Sequence, residues 1–517
     1  MIKSLKKYFA YHLLVPGWIL IMLPFPLLSQ YSYDFNNRCK DAYKALTSLR
    51  LDEAERYIVV EKQMNPDNNI PYLLESYLMF FKVFIGEEET LYRKYEDRRD
   101  KIYDRLTDGN PSSPYYRYSL AVYHTQWALA RLKFSEFFKA AWQFRKAYLL
   151  LEHNQEEFPD FLPDNLYSGL FHIAIGIVPP EYKWAVNILG FSGSIEKGEK
   201  EIQTLIDASE TNPAYAYLRE EVIFYKTFID INVTENLESA YQQYLSSRTT
   251  MDTALLRNPL MSYALARILK EKKMTDEAIE VLENRFQGKE YFPFYYLDYL
   301  TGYYRLQRLD TAAKDYLLKY VRNFNGVLYL KSAYQKLSWY YLVFGDTTKC
   351  LEAKEKILTV GSTISDDDKQ ARIYAEKEEL PDIYLLKARL LSDGGYYQRA
   401  LNALEEGKEH LLSDKDSKKS LEYYYRLARI YHEWGKKEQS IPFYEESIEN
   451  GKELPYYYAA NSALKLGNIY EERKDYGKAL KYYRMALRMK NKEYKTSIDM
   501  KAKAGIQRIE EKQNNTP

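Results

Sequence analysis

The chain has 517 residues, 46% hydrophobic and 28% charged, with Lys plus Arg (74) almost equal to Asp plus Glu (73). That length exceeds one compact core, so several domains or an elongated array are expected; the composition excludes wholesale disorder and a polytopic membrane protein, and the balanced charge leaves no global basic field to recruit nucleic acid. Tyrosine is the outlier at 53 residues, while scarce Gly (21) and Pro (18) favour long helices over turn-rich β-structure.

Residues 1–30 have the order of a secretory signal. Lys3, Lys6 and Lys7 precede an apolar run from Leu13 to Leu28, and Ser29 and Gln30 follow. Pro16, Gly17, Pro24 and Pro26 break that run, which is short for a spanning helix. Removal near Ser29 or Gln30 is the expectation, and an uncleaved signal anchor is the alternative. No Cys sits just after the run to accept a lipid. Cys39 and Cys350 make no disulfide framework and read as small buried residues.

Residues 31–232 read as an irregular helical-hairpin domain. Asp41 to Leu46 and Asp52 to Lys62 predict one hairpin, ended by Asn65-Pro66. Tyr72 to Phe84 predicts a strongly apolar helix. Tyr115 to Leu132 and Phe137 to Leu151 predict a long pair crowded with Trp127, Phe138, Trp142 and Phe144, aromatics expected in the core. Next comes Leu162-Pro163-Asp164-Asn165-Leu166-Tyr167, with Gly169, Pro179-Pro180, then Ile188-Leu189-Gly190-Phe191-Ser192-Gly193 and Gly198. One helix stops at the double proline, a second runs to Leu189, and a glycine-rich turn opens a third at Ser194.

Residues 233–495 repeat. Near the C-terminus Leu466, Gly467 and Tyr470 are followed by Tyr476, Ala479, Tyr483 and Ala486. The register recurs upstream from the landmarks Tyr431, Leu391, Tyr341, Tyr303 and Leu269. The small residue early in each second helix runs Ala278, Ala312, Cys350, Ala400, Ser440, Ala479, at steps of 34, 38, 50, 40 and 39. A small side chain there lets paired helices approach, while aromatics fill the space between hairpins. The widest step contains Gly361 to Ser365 followed by Asp366, Asp367 and Asp368, which predicts an extra helix with Ser365 as its N-cap. Residues 496–517 predict a capping helix, apolar at Ile498, Ala502, Gly505, Ile506 and Ile509, with a frayed tail.

This pattern resembles the tetratricopeptide repeat (TPR), which implies an all-α fold: a superhelix of about six helical hairpins behind an irregular helical region. The stretch from Leu162 to Leu205 resembles the inclusion-body-clearance family, the TPR thirty-nine group. That resemblance implies an adaptor without catalytic residues, so no site transfers. The export-type N-terminus departs from that family. Exported TPR proteins rich in tyrosine and lysine are familiar among Gram-negative Bacteroidota, which makes the periplasm or cell envelope of such a bacterium the expected location.

Chemistry-bearing patterns are few. The six histidines fall in no HExxH motif, and there is no Cys-x-x-Cys pair, Walker A loop or G-x-G-x-x-G fingerprint. Gly190-Phe191-Ser192-Gly193 lacks the closing glycine of a nucleophile elbow, because Ser194 stands there. The expectation is no enzyme, no metal and no cofactor.

What remains is the inner face of a superhelix, lined by the first helix of each hairpin. The residues six before, two before and one after each landmark are Tyr263, Arg267 and Lys270; Leu297, Thr301 and Tyr304; Gln335, Trp339 and Leu342; Leu385, Arg389 and Ser392; Tyr425, Arg429 and His432; Leu464, Asn468 and Glu471. The partner groove is therefore expected at Tyr263, Arg267, Lys270, Tyr304, Trp339, Arg389, Tyr425, Arg429, His432 and Asn468. Forked guanidiniums beside aromatics suit carboxylates, so the expected partner is a protein or peptide segment, acidic in character. Arginine is also common on any solvated helix face. The expected role is an exported scaffold in envelope protein assembly or trafficking, without nucleic acid, touching a membrane only through an uncleaved signal. The alternative is a carrier of an apolar or lipid-like ligand near Trp127, Trp142 and Trp184.

Overall fold

The computed structural model describes residues 31–178, 184, 186, 190–250, 257–413 and 418–514. Residues 1–30, where a signal is expected, Pro179-Pro180, Ile188-Leu189 and the last three residues lie outside them. The fold is all-α, 75% helical, and no strand occurs among the described residues; two isolated bridges join Tyr31 to Gly109 and Ser32 to Asn68. No helix among the described residues is long and apolar enough to cross a membrane.

One turn builds the molecule. In eight helical hairpins the first helix ends on a residue with positive φ, and the next N–H bonds back five residues at 2.8–3.0 Å. Arg50 N bonds to Ala45 O, and Glu136 N to Arg131 O. In the array Met274 bonds to Leu269, Asp310 to Arg305, Asp346 to Tyr341, Tyr396 to Leu391, Lys436 to Tyr431 and Asp475 to Tyr470. This arrangement caps the orphan carbonyls of the first helix and reverses the chain within a few residues. Gly345, Gly395 and Gly435 supply the left-handed residue without Cβ strain; Leu49, Ser135, Lys273, Leu309 and Lys474 adopt it with side chains.

The array hairpins span 259–283, 296–323, 330–359, 383–406, 418–451 and 457–488. Ala278, Cys350, Ala400, Ser440 and Ala479 are fully buried where the second helix meets the first. In 296–323 the register differs from expectation: the bonding landmark is Arg305, two residues past Tyr303, and the buried small residue is Ala313, not Ala312. Adjacent tyrosines offered two equivalent landmarks there, and the second helix begins late, at Ala313. The extra helix Asp366–Glu376 is present, with Ser365 Oγ accepting from Asp368 N at 3.1 Å. Helix Lys495–Asn514 closes the core through Ile498, Ala502 and Ile509.

Hydrogen bonds between hairpins carry the repeat period. Tyr458 Oη donates to Glu422 Oε2 at 2.6 Å, Asn461 Nδ2 to Tyr425 Oη at 2.7 Å, and Tyr482 Oη to Glu445 Oε1 at 2.8 Å, across 36, 36 and 37 residues. Tyrosine thus fills the inter-hairpin space with its ring and satisfies the far side with its hydroxyl.

The N-terminal half packs directly on the first array hairpins. Asn258 Nδ2 donates to Thr47 O at 2.9 Å, Phe292 N to Leu49 O at 2.7 Å, and Leu328 N to Glu87 Oε2 at 3.3 Å. Helix Asp164–Gly176 lies so close to Ile195–Thr211 that a Cβ on Gly198 would stand 2.6 Å from Ile173 Cγ1, which explains the paired glycines of that stretch. One expectation fails in helix Phe137–Glu157. It packs through Ala140, Ala147, Tyr148 and Leu151, so Phe138 and Trp142 turn outward and are 87% and 55% exposed. Trp127 is core as expected, whereas Trp184 is exposed.

Ala400→Leu forces a larger side chain between helices 383–393 and 397–406. It should lower stability by roughly 1–3 kcal/mol through overpacking, read from the midpoint of a urea melt; an unchanged midpoint would place Ala400 away from the packing seam.

Candidate functional site

The first helices of the array do converge on a common interior, and it is closed more tightly than an open groove. Lys270 Nζ donates to Asp393 O, and Thr275 Oγ1 donates to Gly394 O at 2.7 Å. Lys273 Nζ stands 3.8 Å from Glu433, and Tyr396 Oη donates to Asp276 Oδ1 at 2.9 Å. The turns of array hairpins one and four therefore meet across the superhelix.

The expected groove residues divide accordingly. Tyr263, Arg267, Lys270 and Tyr304 form one group, with the Lys270 ammonium 5.7 Å from the Tyr304 ring centre. Burial, with a smaller push from Lys273, lowers the Lys270 pKa to about 8. Arg389 lies 5.0 Å from the Trp339 ring centre. Trp339 (4% exposed), Tyr304 (3%) and Tyr425 (1%) are packed inside, so these three offer no contact area to a partner. Their bulk props neighbouring hairpins apart at the inner face. Tyr304 entered the expected set through the displaced register; Tyr303 is the residue two before the true landmark.

The three arginines are not free donors. Each carries an acid one turn ahead: Glu271 stands 3.8 Å from Arg267, Asp393 is 3.7 Å from Arg389, and Glu433 pairs closely with Arg429. This i,i+4 spacing puts both charges on one helix face, and it was visible in the sequence. His432 Nδ1 lies 3.1 Å from Tyr444 Oη, and burial, then Lys465, hold its pKa down to about 4. Asn468 Oδ1 accepts from Tyr483 Oη at 2.8 Å.

Sequence reasoning passed over two further sets. Lys336 is buried, donating to Gln335 Oε1 at 2.8 Å and Ser332 Oγ at 3.2 Å, with Tyr303 and Trp339 rings within 4.9 Å; burial lowers its pKa to about 8. Lys465 is depressed by burial and then by Arg429, with Glu433 opposing and Lys501 adding to the depression; the three cations stand at steps of 36 residues on the last two hairpins and the closing helix. Their recurrence fell outside the three offsets used to choose groove positions.

A separate cavity of about 480 Å³ lies where the N-terminal half meets the first three array hairpins. Tyr263, Tyr296 and Tyr329 line it at 33-residue steps, opposite Phe80, Phe81 and Phe84. Glu220 and Glu221 border it. Tyr43 Oη donates to Glu221 Oε2 and Tyr167 Oη to its Oε1 at 3.1 Å, and burial pushes the Glu221 carboxyl up to about 8.

Two comparisons bear on these hairpins. Residues 421–450 and 462–493 match models of the tetratricopeptide repeat. Each match falls on one hairpin, 418–451 and 457–488, and runs across its helix–turn–helix. The array thus contains TPR repeats where Arg429, His432, Lys465 and Asn468 reside. A comparison with curated proteins returned no match.

Glu221 generates a pH prediction. Its folded pKa of about 8 lies above the ordinary carboxyl value of 4.5, so its contribution is fully present below pH 4.5 and is lost as pH rises towards 8. Asp164, pushed up to about 8 by burial, acts in the same direction but remains unchanged in a Glu221 variant. Glu221→Gln should therefore flatten the fall in melting temperature between pH 5 and 8; parallel curves for the two proteins would mean that Glu221 is ionised in the fold.

Proposed function

We propose that this chain is a non-catalytic interaction scaffold, exported to the cell envelope, whose last TPR hairpins hold an acidic segment of a partner protein. The observation that carries the reading is that Arg429 and Lys465 fall one in each TPR match, with Lys501 following on the closing helix. TPR hairpins generally serve protein binding, and their stacked first helices present side chains at a regular pitch to an extended chain. A carboxylate-bearing segment would compete with Glu433 for Arg429 and would relieve the cation–cation repulsion between Arg429 and Lys465. The export element rests on the sequence of residues 1–30, and assembly or trafficking of envelope proteins is the role that suits an exported scaffold.

The test starts with site-specific photocrosslinking from position 468 in cells, which identifies the partner. Arg429→Ala combined with Lys465→Ala should then weaken that partner's binding at least tenfold, since each partly desolvated charge contact contributes about 1.5–3 kcal/mol. Added salt should weaken binding as well, and the double variant should retain its melting temperature within a few degrees. Normal partner binding by that variant would refute the proposed strip.

A further inference from the structure

The cavity at the junction has no part in the scaffold reading, and its size sets it apart from packing defects. Voids in a close-packed interior rarely exceed one water; this one falls within the roughly 300–1,000 Å³ of small-molecule sites at about 480 Å³. Sixteen of the twenty-two residues around it are apolar or aromatic. Phe81, Phe84, Phe224, Phe228, Phe294 and Phe324 each keep part of their surface uncovered although packed helices surround them, because those faces border the cavity. The walls come from elements far apart in sequence, so the space arises only once the N-terminal half docks on the array.

The polar lining residues are already engaged. Thr47 Oγ1 donates to Tyr43 O at 3.1 Å, and Lys133 Nζ donates to Glu87 Oε1 at 2.5 Å. Asn258 Nδ2 donates to Glu220 Oε2 at 3.1 Å, and Glu221 accepts the Tyr43 and Tyr167 hydroxyls. A charged group entering this space would lose its hydration without meeting a spare counter-charge. Hydrocarbon and ring surface meets no such obstacle, and the aromatic walls offer dispersion contacts on several sides.

We propose that this cavity binds an uncharged, lipid-like small molecule, held by phenylalanine and tyrosine faces rather than by an ion pair. The site is separate from the Arg429–Lys465–Lys501 strip, so the two readings stand or fall independently. The experiment titrates the full chain with N-phenyl-1-naphthylamine, a neutral probe that fluoresces in apolar surroundings, and then displaces it with oleyl alcohol or oleate. One saturable site is expected, with oleyl alcohol competing at least tenfold better than oleate. Leu260→Trp and, separately, Ile85→Trp fill the cavity from opposite walls; each should weaken probe binding at least tenfold while circular dichroism shows unchanged helix content. The Arg429→Ala, Lys465→Ala variant should bind the probe normally. Absence of saturable probe binding, or binding that survives both filling variants, overturns the site. Equal competition by oleate overturns its restriction to uncharged molecules.

Discussion

A single backbone device underlies the whole structure: a helix that ends on a left-handed residue whose following N–H bonds back five positions. That bond satisfies carbonyls which would otherwise be orphaned at the helix end, and it returns the chain so quickly that two helices must lie side by side. The second helix then approaches the first only where a small side chain stands, at Ala278, Cys350, Ala400, Ser440 and Ala479. Because the same turn closes 37–64 and 114–157, the irregular N-terminal half and the array share one construction.

Between hairpins the work falls to tyrosine. A phenylalanine ring would fill the same volume but remove the tyrosine donors of Glu445 and Glu422, leaving the latter to Arg426. The tyrosine hydroxyls reach them at the repeat spacing and fix how each hairpin sits on the next. The resulting winding brings the turn of array hairpin one against that of hairpin four, through Lys270, Thr275, Asp393 and Gly394. Winding this tight divides the inner face. Near the N-terminal half the face is aromatic and borders a cavity; at the last hairpins it carries Arg429, His432 and Lys465.

Charge on the inner face is largely self-compensating. Arg267, Arg389 and Arg429 each have an acid one helical turn ahead, so their repetition makes alternating pairs rather than a cationic stripe. Such pairs cost little to hold half-exposed and are exchangeable, since a partner carboxylate can replace the intramolecular one. Cations also meet cations, Lys270 beside Lys273 in the first array hairpin and Lys465 between Arg429 and Lys501 near the last.

Local pattern by itself determined most of the helices, the Ser365 cap, the closing helix and the small-residue seam. Apolar periodicity and capping act over a few residues, and repetition exposed the seam. Glycine marked three of the turns, whereas Leu49, Ser135, Lys273, Leu309 and Lys474 take the same backbone with ordinary side chains and so hid the others. Neighbouring tyrosines masked the register of 296–323. Only the tertiary structure decided which aromatics face inward: Phe138 and Trp142 share helical spacing with core residues yet lie outside, while Trp339 and Tyr425, assigned to a groove, are buried. It also decided the cavity, since no periodicity links Phe84 with Phe224 and Phe294. Those placements depend on superhelical winding, which sums small rotations at every hairpin interface and so is written in contacts between residues tens to hundreds of positions apart.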